Sequence, residues 1–457
     1  MTTSPFTPFA PLRERVQAEL LRRAPEQIAR LGWSAAQIAA RQREGLRALL
    51  AHALERSPFH ARRLRGVDPA RFELADLPRL PVMTKAEMMD AFDEVLTDRR
   101  LSRALAEQAL AETREEPRPL FGEYACMSTG GSSGRRGVFV LDCEAIVCFI
   151  SSLSRATLKR LLESGGLPPG GVTIANVAAA SAVHATGGAP AWTRGGPLAY
   201  VGIPVTLPLA ECAARLEALQ PDALAGYPSA LARLAREQRE GRLRIAPRSV
   251  TTSSETLLPE WRAAIRDAFG APIVDMFGST EGLVGTSDPD DTVITFNSDA
   301  CIVELVDERG EPVPEGSPSA RVLLTNLANR AQPLIRYEIT DRFVRAPAAK
   351  DHGHLRARVE GRADDVLRWG ETEVHPLVIR SVLVKTPAAQ DYQVRQTPAG
   401  IELAVLASEP LDLDGLRREL GSALAAAGLR SAEVVTRSVR AFERNPETGK
   451  LRRFIPL

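Results

Sequence analysis

The sequence predicts an α/β protein built as a large layered domain followed by a small α+β domain. Its 457 residues exceed the roughly 250–300 over which a single core grows, so at least two domains are expected. Between residues 122 and 276 short apolar runs alternate with helical segments, an order that stacks helices on a sheet. After Gly361 the pattern becomes strand, helix, strand, strand, helix, strand, which suits a compact α+β unit. The boundary falls at residues 362–364, giving an N-terminal domain of residues 1–361 and a C-terminal domain of residues 362–457.

Each element has its own signal. From residue 12 to about 65 apolar residues recur every three or four positions. Leu46, Leu49, Leu50, Ala53 and Leu54 share one helical face, and His52 and Glu55 point away from it. Pro81-Val-Met-Thr-Lys85 introduces another helix, with Thr84 as its N-cap and Met88 among its apolar residues. Residues 122–127 and 138–141 read as short strands around a Gly/Ser-rich turn, and residues 172–178 and 203–207 as buried strands. Tyr227-Pro-Ser-Ala opens a helix that runs to Arg239, since Pro and Ser suit a first turn. Residues 261–269 are helical and 272–276 form a strand. Residues 302–307 and 320–325, with a turn at Glu308-Arg-Gly310, make a β-rich segment.

Composition narrows the function classes. Hydrophobic residues at 44% and charged residues at 25% describe an ordinary globular protein and exclude disorder as its main state. With 58 Lys plus Arg against 57 Asp plus Glu, net charge points to neither nucleic acid nor a membrane surface. No apolar run approaches the ~20 residues of a membrane span, and residues 1–11 lack a basic-then-apolar leader, so a cytoplasmic protein is expected. Cys126, Cys143, Cys148, Cys212 and Cys301 contain no CxxC pair and suit reduced thiols. His352 and His354 lack companions for a zinc site and are expected in a polar loop.

Five segments carry chemistry. Ser128-Thr129-Gly130-Gly131-Ser132-Ser133-Gly134-Arg-Arg-Gly137 offers backbone N–H groups and hydroxyls to phosphate oxygens, but has neither the Lys of a GxxxxGK[ST] loop nor GxGxxG spacing. Gly130-Gly-Ser132-Ser-Gly134 also matches the GxSxG elbow of serine hydrolases. That elbow leads into a helix, whereas Val138-Phe-Val-Leu141 reads as a strand, which favours a hairpin loop. Asp275-Met276-Phe277-Gly278-Ser-Thr280-Glu281-Gly282 closes a strand, where open α/β sheets place ligand groups. Its Phe277 suits stacking on a flat base, Thr280 a phosphate and Glu281 a Mg²⁺ ion. Leu334-Ile-Arg-Tyr-Glu-Ile-Thr-Asp341 ends on a carboxylate able to accept from both hydroxyls of a ribose. Glu360-Gly-Arg362-Ala-Asp364-Asp365 marks the domain boundary, and Asn445-Pro-Glu-Thr-Gly-Lys450 lies near the C-terminus.

In their order and spacing these segments resemble the adenylate-forming superfamily of acyl-CoA synthetases, peptide-synthetase adenylation domains and luciferases. The phenylacetate–CoA ligase branch is the most similar, through Tyr227-Pro-Ser-Ala-Leu before a helix and a compact N-terminal region. The resemblance implies ATP-dependent activation of a carboxylic acid, aryl or arylacetic, as acyl-AMP, then transfer to a thiol. Coenzyme A is the implied acceptor, with a carrier-protein thiol or an amine as the alternatives. It implies ATP bound between a large domain and a mobile small one. Ser128 to Gly134 would enclose the β- and γ-phosphates, Ser254 and Glu255 line adenine, Phe277 and Gly278 meet the base, and Thr280 the α-phosphate. Glu281 would hold Mg²⁺, Asp341 and Arg362 the ribose, and Lys450 the substrate carboxylate and α-phosphate, with Asp364 as hinge. His184, Tyr227 and Met276 would border the acyl pocket. An acyl carrier protein and a second copy of the chain are the macromolecular partners it leaves open. Arg135-Arg136 stand where relatives have Lys and Pro, and Thr340 where they have Gly. The rival classes are a nucleotide-binding protein without ligation and the serine hydrolase.

Overall fold

A computed structural model of the chain describes residues 4–129, 137–179, 181–362, 366–370, 372–374, 376–383, 386, 388–407, 409–443 and 451–457. These fall into two compact units, Met1–Glu360 and Gly361–Leu457.

The first unit begins with helices. α1 (Phe9–Ala29) and α2 (Ala35–Arg56) are followed by α3 (Pro58–Arg63), α4 (Lys85–Asp90), α5 (Phe92–Val95) and α6 (Arg103–Glu112). Ser34 caps α2 and Thr84 caps α4, each in a reciprocal capping box, with Gln37 and Glu87 returning the bond. Leu46, Leu49, Leu50 and Ala53 are buried as their spacing predicts. A hairpin of β1 (Tyr124–Ser128) and β2 (Val138–Asp142) then pairs antiparallel, Ser128 opposite Val138. Asp142 caps α7 (Cys143–Glu163). A strand therefore follows the Gly/Ser-rich segment, where the hydrolase elbow leads into a helix.

A nine-stranded sheet forms the body of this unit. β3 (Val172–Ala178), β4 (Leu198–Pro204), β5 (Ala223–Gly226), β6 (Ser249–Ser253) and β7 (Ile273–Gly278) are connected by α8 (Ala185–Thr193), α9 (Leu209–Leu219), α10 (Pro228–Arg239) and α11 (Pro259–Phe269). Their order across the sheet is β4-β3-β5-β6-β7, all parallel. β8 (Val284–Ser287) and β9 (Ile294–Phe296) extend it antiparallel. β10 (Cys301–Val306), β11 (Arg321–Asn326) and β12 (Tyr337–Ile339) form a separate three-stranded sheet. β13 (Asp341–Arg345) and β14 (Arg356–Arg362) return to the large one.

Two expectations need correction. The strand expected at residues 203–207 lies earlier, as β4, and it is an edge strand with Val201 exposed rather than a buried one. Pro204, which brings no N–H to a ladder, ends it. His354, expected in a polar loop, is buried: its Nδ1 accepts from the Ser298 N–H at 3.2 Å and its Nε2 donates to the Arg30 carbonyl at 2.9 Å. Burial holds its imidazole below the ordinary pKa.

The second unit adds a ribbon of β15 (Leu367–Trp369) and β16 (Thr372–Val374), then α12 (Pro376–Leu383), β17 (Ala389–Thr397), β18 (Gly400–Ala407), α13 (Leu413–Ala426), β19 (Glu433–Val439) and β20 (Phe454–Ile455). Its four-stranded sheet runs β19-β18-β17-β20. Ile379, Leu416, Leu420 and Leu424 from the helices share a core with Val394, Ile401, Leu403 and Val405 from the strands. Among the described residues no helix is long and apolar enough to cross a membrane.

Candidate functional site

Parallel strands point their carboxyl ends the same way, so register decides which residues share the ligand-binding edge of such a sheet. Val177 of β3 lies opposite Gly226 of β5, Gly226 opposite Thr252 of β6, and Ser253 opposite Met276 of β7. The chain leaving these strands carries Ala179, Tyr227, Ser254 with Glu255, and Phe277 to Glu281. Of the residues singled out in the sequence, Tyr227, Ser254, Glu255 and Met276 to Glu281 thus emerge along one edge.

Their side chains are fixed in different ways. Phe277 is half-buried and meets Phe296 and Phe343 edge-on, with centroids 5.6 and 5.2 Å apart, so its ring plane is set by the core behind it. Phe343 belongs to β13, which starts at Asp341. Two residues apart, Asp341 and Phe343 are on the same face of that strand. Ser254, at φ +69°, occupies the left-handed region that non-glycine residues rarely adopt, a conformation that persists where surrounding structure enforces it. Glu255 accepts from the Ser229 N–H at 3.2 Å in the first turn of α10, where a carboxylate is favoured. Asp275 accepts from the Thr252 hydroxyl at 2.7 Å. Burial pushes its carboxyl upward, opposed by that bond.

Glu281 sits in a tight turn. Ser279 N–H donates to the Leu283 carbonyl at 2.9 Å, and Gly282 N–H to the Ser279 carbonyl at 3.0 Å. Gly282 has φ +102°, and a Cβ there would collide with the Asn326 amide. Glu281 is only 8% exposed. Tyr337, wholly buried, has its hydroxyl pushed upward in pKa first by burial and then by the charge of Glu281. Among the described residues, the buried hydroxyls of Ser128, Ser279 and Tyr337 have no hydrogen-bond partner.

The hairpin joins the same region. Ser128 N–H donates to the Val183 carbonyl at 2.9 Å, and His184 Nδ1 donates to the Ser128 carbonyl at 3.1 Å, linking the end of β1 to the segment after β3. Thr129 and Gly137 close the loop between the strands: Thr129 N–H donates to the Gly137 carbonyl at 3.0 Å, and Gly137 N–H to Thr129 Oγ1 at 2.9 Å. Tyr227 is enclosed in the core and its hydroxyl accepts from the Ala179 N–H at 3.2 Å, so it pins the chain leaving β3. Met276 is half-buried on β7. Gly130, Gly131, Ser132, Ser133, Gly134, Asp364 and Lys450 lie outside the described residues, and of Arg362 only the backbone in β14 is described. Ser279, Asn326 and Tyr337 were not among the residues expected at the site. Only the density of amide side chains after Asn326 hints at their role.

Comparison with known proteins gives the family and the fold. A family model described as AMP-binding enzyme matches residues 73–323. The phenylacetate–coenzyme A ligase of Thermus thermophilus is 26% identical over 401 residues, covering 81% of each chain. A solved 2-hydroxyisobutyryl-CoA ligase in the postadenylation state superposes with a TM-score of 0.70 at 20% identity, covering 93% of this chain and 90% of that one. A benzoate CoA ligase from Burkholderia xenovorans gives 0.52 at 17% identity, covering 72% and 68%. The two solved structures share this fold.

Proposed function

Because the chain belongs to the AMP-binding enzyme family, we propose that it joins an aryl or arylacetic acid to coenzyme A through an acyl-adenylate. The observation that carries this reading is the convergence of Ser254, Glu255 and Met276 to Glu281 on the carboxyl edge of one parallel sheet, beside the hairpin that flanks the Gly/Ser-rich loop. The name of the phenylacetate relative and that of the benzoate neighbour support the acid class and the acceptor.

The substrate carboxylate attacks the α-phosphorus of ATP, the bond to pyrophosphate breaks, and an acyl-AMP anhydride forms. The thiol of coenzyme A then attacks the acyl carbon and AMP leaves. Such chemistry rests on positioning and on charge stabilisation. Phe277, held by Phe296 and Phe343, presents a fixed ring face for the base. Asp341 takes the ribose hydroxyls, and Arg362 enters the proposal from the sequence resemblance alone. Ser128, Thr129 and the loop they open take the β- and γ-phosphates, and Thr280 the α-phosphate. Lys450 and the hinge at Asp364 enter the proposal from the sequence. Among the described residues no cluster of three or more His, Cys, Asp or Glu is poised to hold a metal. That suits Mg²⁺, which takes one or two carboxylates and completes its shell with phosphate oxygens and water. Glu281 would hold it, and when bound it offsets charge on the phosphates. The acyl side falls to Met276, to Tyr227 and to the segment containing His184.

The test is pyrophosphate release with Mg·ATP across aryl, arylacetic and aliphatic acids, with hydroxylamine trapping and then coenzyme A. Acid-dependent release, hydroxamate formation and a coenzyme A thioester are expected. Release without a thioester moves the acceptor to a carrier protein or an amine. Confirmed ATP binding with no acid-dependent release overturns ligation in favour of plain nucleotide binding.

A further inference from the structure

Between β11 and β12 the chain reads Asn326-Leu-Ala-Asn329-Arg-Ala-Gln332, and its three amide side chains are all buried. Asn326 Nδ2 donates to the Glu281 carbonyl at 2.8 Å, while its Oδ1 accepts from the N–H groups of Ala328 and Asn329 at 2.9 and 3.1 Å. Two donors on one atom and an acceptor on the other allow a single orientation of this amide. Asn329 Nδ2 donates to the Val140 carbonyl at 2.9 Å, Gln332 Oε1 accepts from the Val140 N–H at 2.8 Å, and Gln332 Nε2 donates to the Val138 carbonyl at 3.3 Å. One short loop thus grips the outer edge of β2 at one end and the Glu281 turn at the other.

We infer that Asn326 is a positioning residue: it holds the Glu281 turn in the frame of the β1–β2 hairpin, so that metal and phosphates are met at a fixed spacing. This rests on the function proposed above. Fixing the carbonyl of Glu281 fixes the peptide that carries its carboxylate, and the collision awaiting any Cβ at Gly282 shows how little room the turn has to shift. Asn329 does the same kind of bonding in the same loop without touching Glu281, which makes it the natural comparator.

The experiment compares wild type, N326D and N329D for pyrophosphate release as a function of Mg²⁺, and for the rise in melting temperature caused by Mg·ATP. In N326D the acceptor is kept and the donor to Glu281 is lost. The expected result is a Mg²⁺ requirement raised about five- to tenfold, as for one lost buried hydrogen bond, with the KM of the acid unchanged and a smaller Mg·ATP-induced melting shift. N329D removes one tie to β2 while Gln332 keeps its two bonds to that strand, so it lowers the melting temperature of the free protein yet keeps the wild-type metal requirement and ligand-induced shift. If N326D does not fold, N326S, with a shorter donor, carries the same expectation. Wild-type values in the Asn326 variant, or equal changes in both variants, overturn the inference. A wild type that releases no pyrophosphate defeats the proposed reaction instead, and Asn326 is then judged on the melting shift alone.

Discussion

Two carboxylates in the N-terminal unit, one buried and one half-buried, are treated in opposite ways. Asp299 is 2% exposed and forms a bidentate pair with Arg155, itself 1% exposed, at 2.5 and 2.8 Å. Asn297 and Gln27 complete the fork around the guanidinium, and Arg30 lies 3.6 Å from the carboxylate. Burial pushes the Asp299 carboxyl upward, but the bonds from Arg155 outweigh it and hold the group below its usual range. Asp275, at the strand edge, is given a threonine hydroxyl and is held above the usual range. The first is a closed unit joining α1, α7 and the turn after β9. The second belongs to an edge where charge has not been cancelled by contact with a cation. A carboxylate that the fold neutralises serves the fold, and one that it leaves uncompensated is available to a ligand.

The comparison breaks if the two regions respond alike to substitution. Arg155→Met should have the largest effect, costing about 3–5 kcal/mol of stability because Asp299 is left charged and unpaired. Denaturant unfolding measures it, and Arg155→Met with Asp299→Leu should recover most of the loss. Glu281→Gln and Lys450→Ala should each reduce pyrophosphate release on the order of 10²–10³-fold, with melting temperature scarcely moved and ATP still bound, as read by single-turnover kinetics and calorimetry. A third effect is set by pH. His60 is buried, its Nε2 donates to the Pro333 carbonyl at 3.0 Å, and burial lowers its pKa from 6.5 to about 4. Between those values the unfolded chain binds the extra proton, so stability is full above about pH 6.5 and falls as pH drops toward 4. The loss is on the order of 3 kcal/mol, and it should vanish from the pH profile of His60→Gln. Smallest is Thr252→Val, which removes the bond to Asp275 and should cost about 1 kcal/mol. An unchanged midpoint would mean that Asp275 finds another donor.

Much of this architecture was legible from local signals. Thr84 as an N-cap, Pro228 at the head of a helix, and the bounds of β3 need only short-range chemistry, and each stands where expected. The hairpin was legible from the strand-like Val138-Phe-Val-Leu141. What periodicity does not encode is long-range burial. His354 looks like a polar loop residue until Arg30, far away in the chain, folds over it. The apolar run at residues 203–207 resembles a buried strand, yet edge position and Pro204 shift the strand earlier. At the site, the motif residues could be named, while Asn326 and Tyr337 matter only through Glu281, which a turn distant in the chain supplies.

The amide side chains along β2 bear on how the chain is made. Val140 has its N–H and carbonyl satisfied by Gln332 and Asn329, about 190 residues downstream. A nascent chain therefore carries a hairpin with an open edge until that loop emerges, and such edges recruit other strands. Truncations ending before residue 326 should aggregate, and those extending beyond Gln332 should do so less. These long-range bonds also raise the contact order of the region, which places the covering of this edge late in folding.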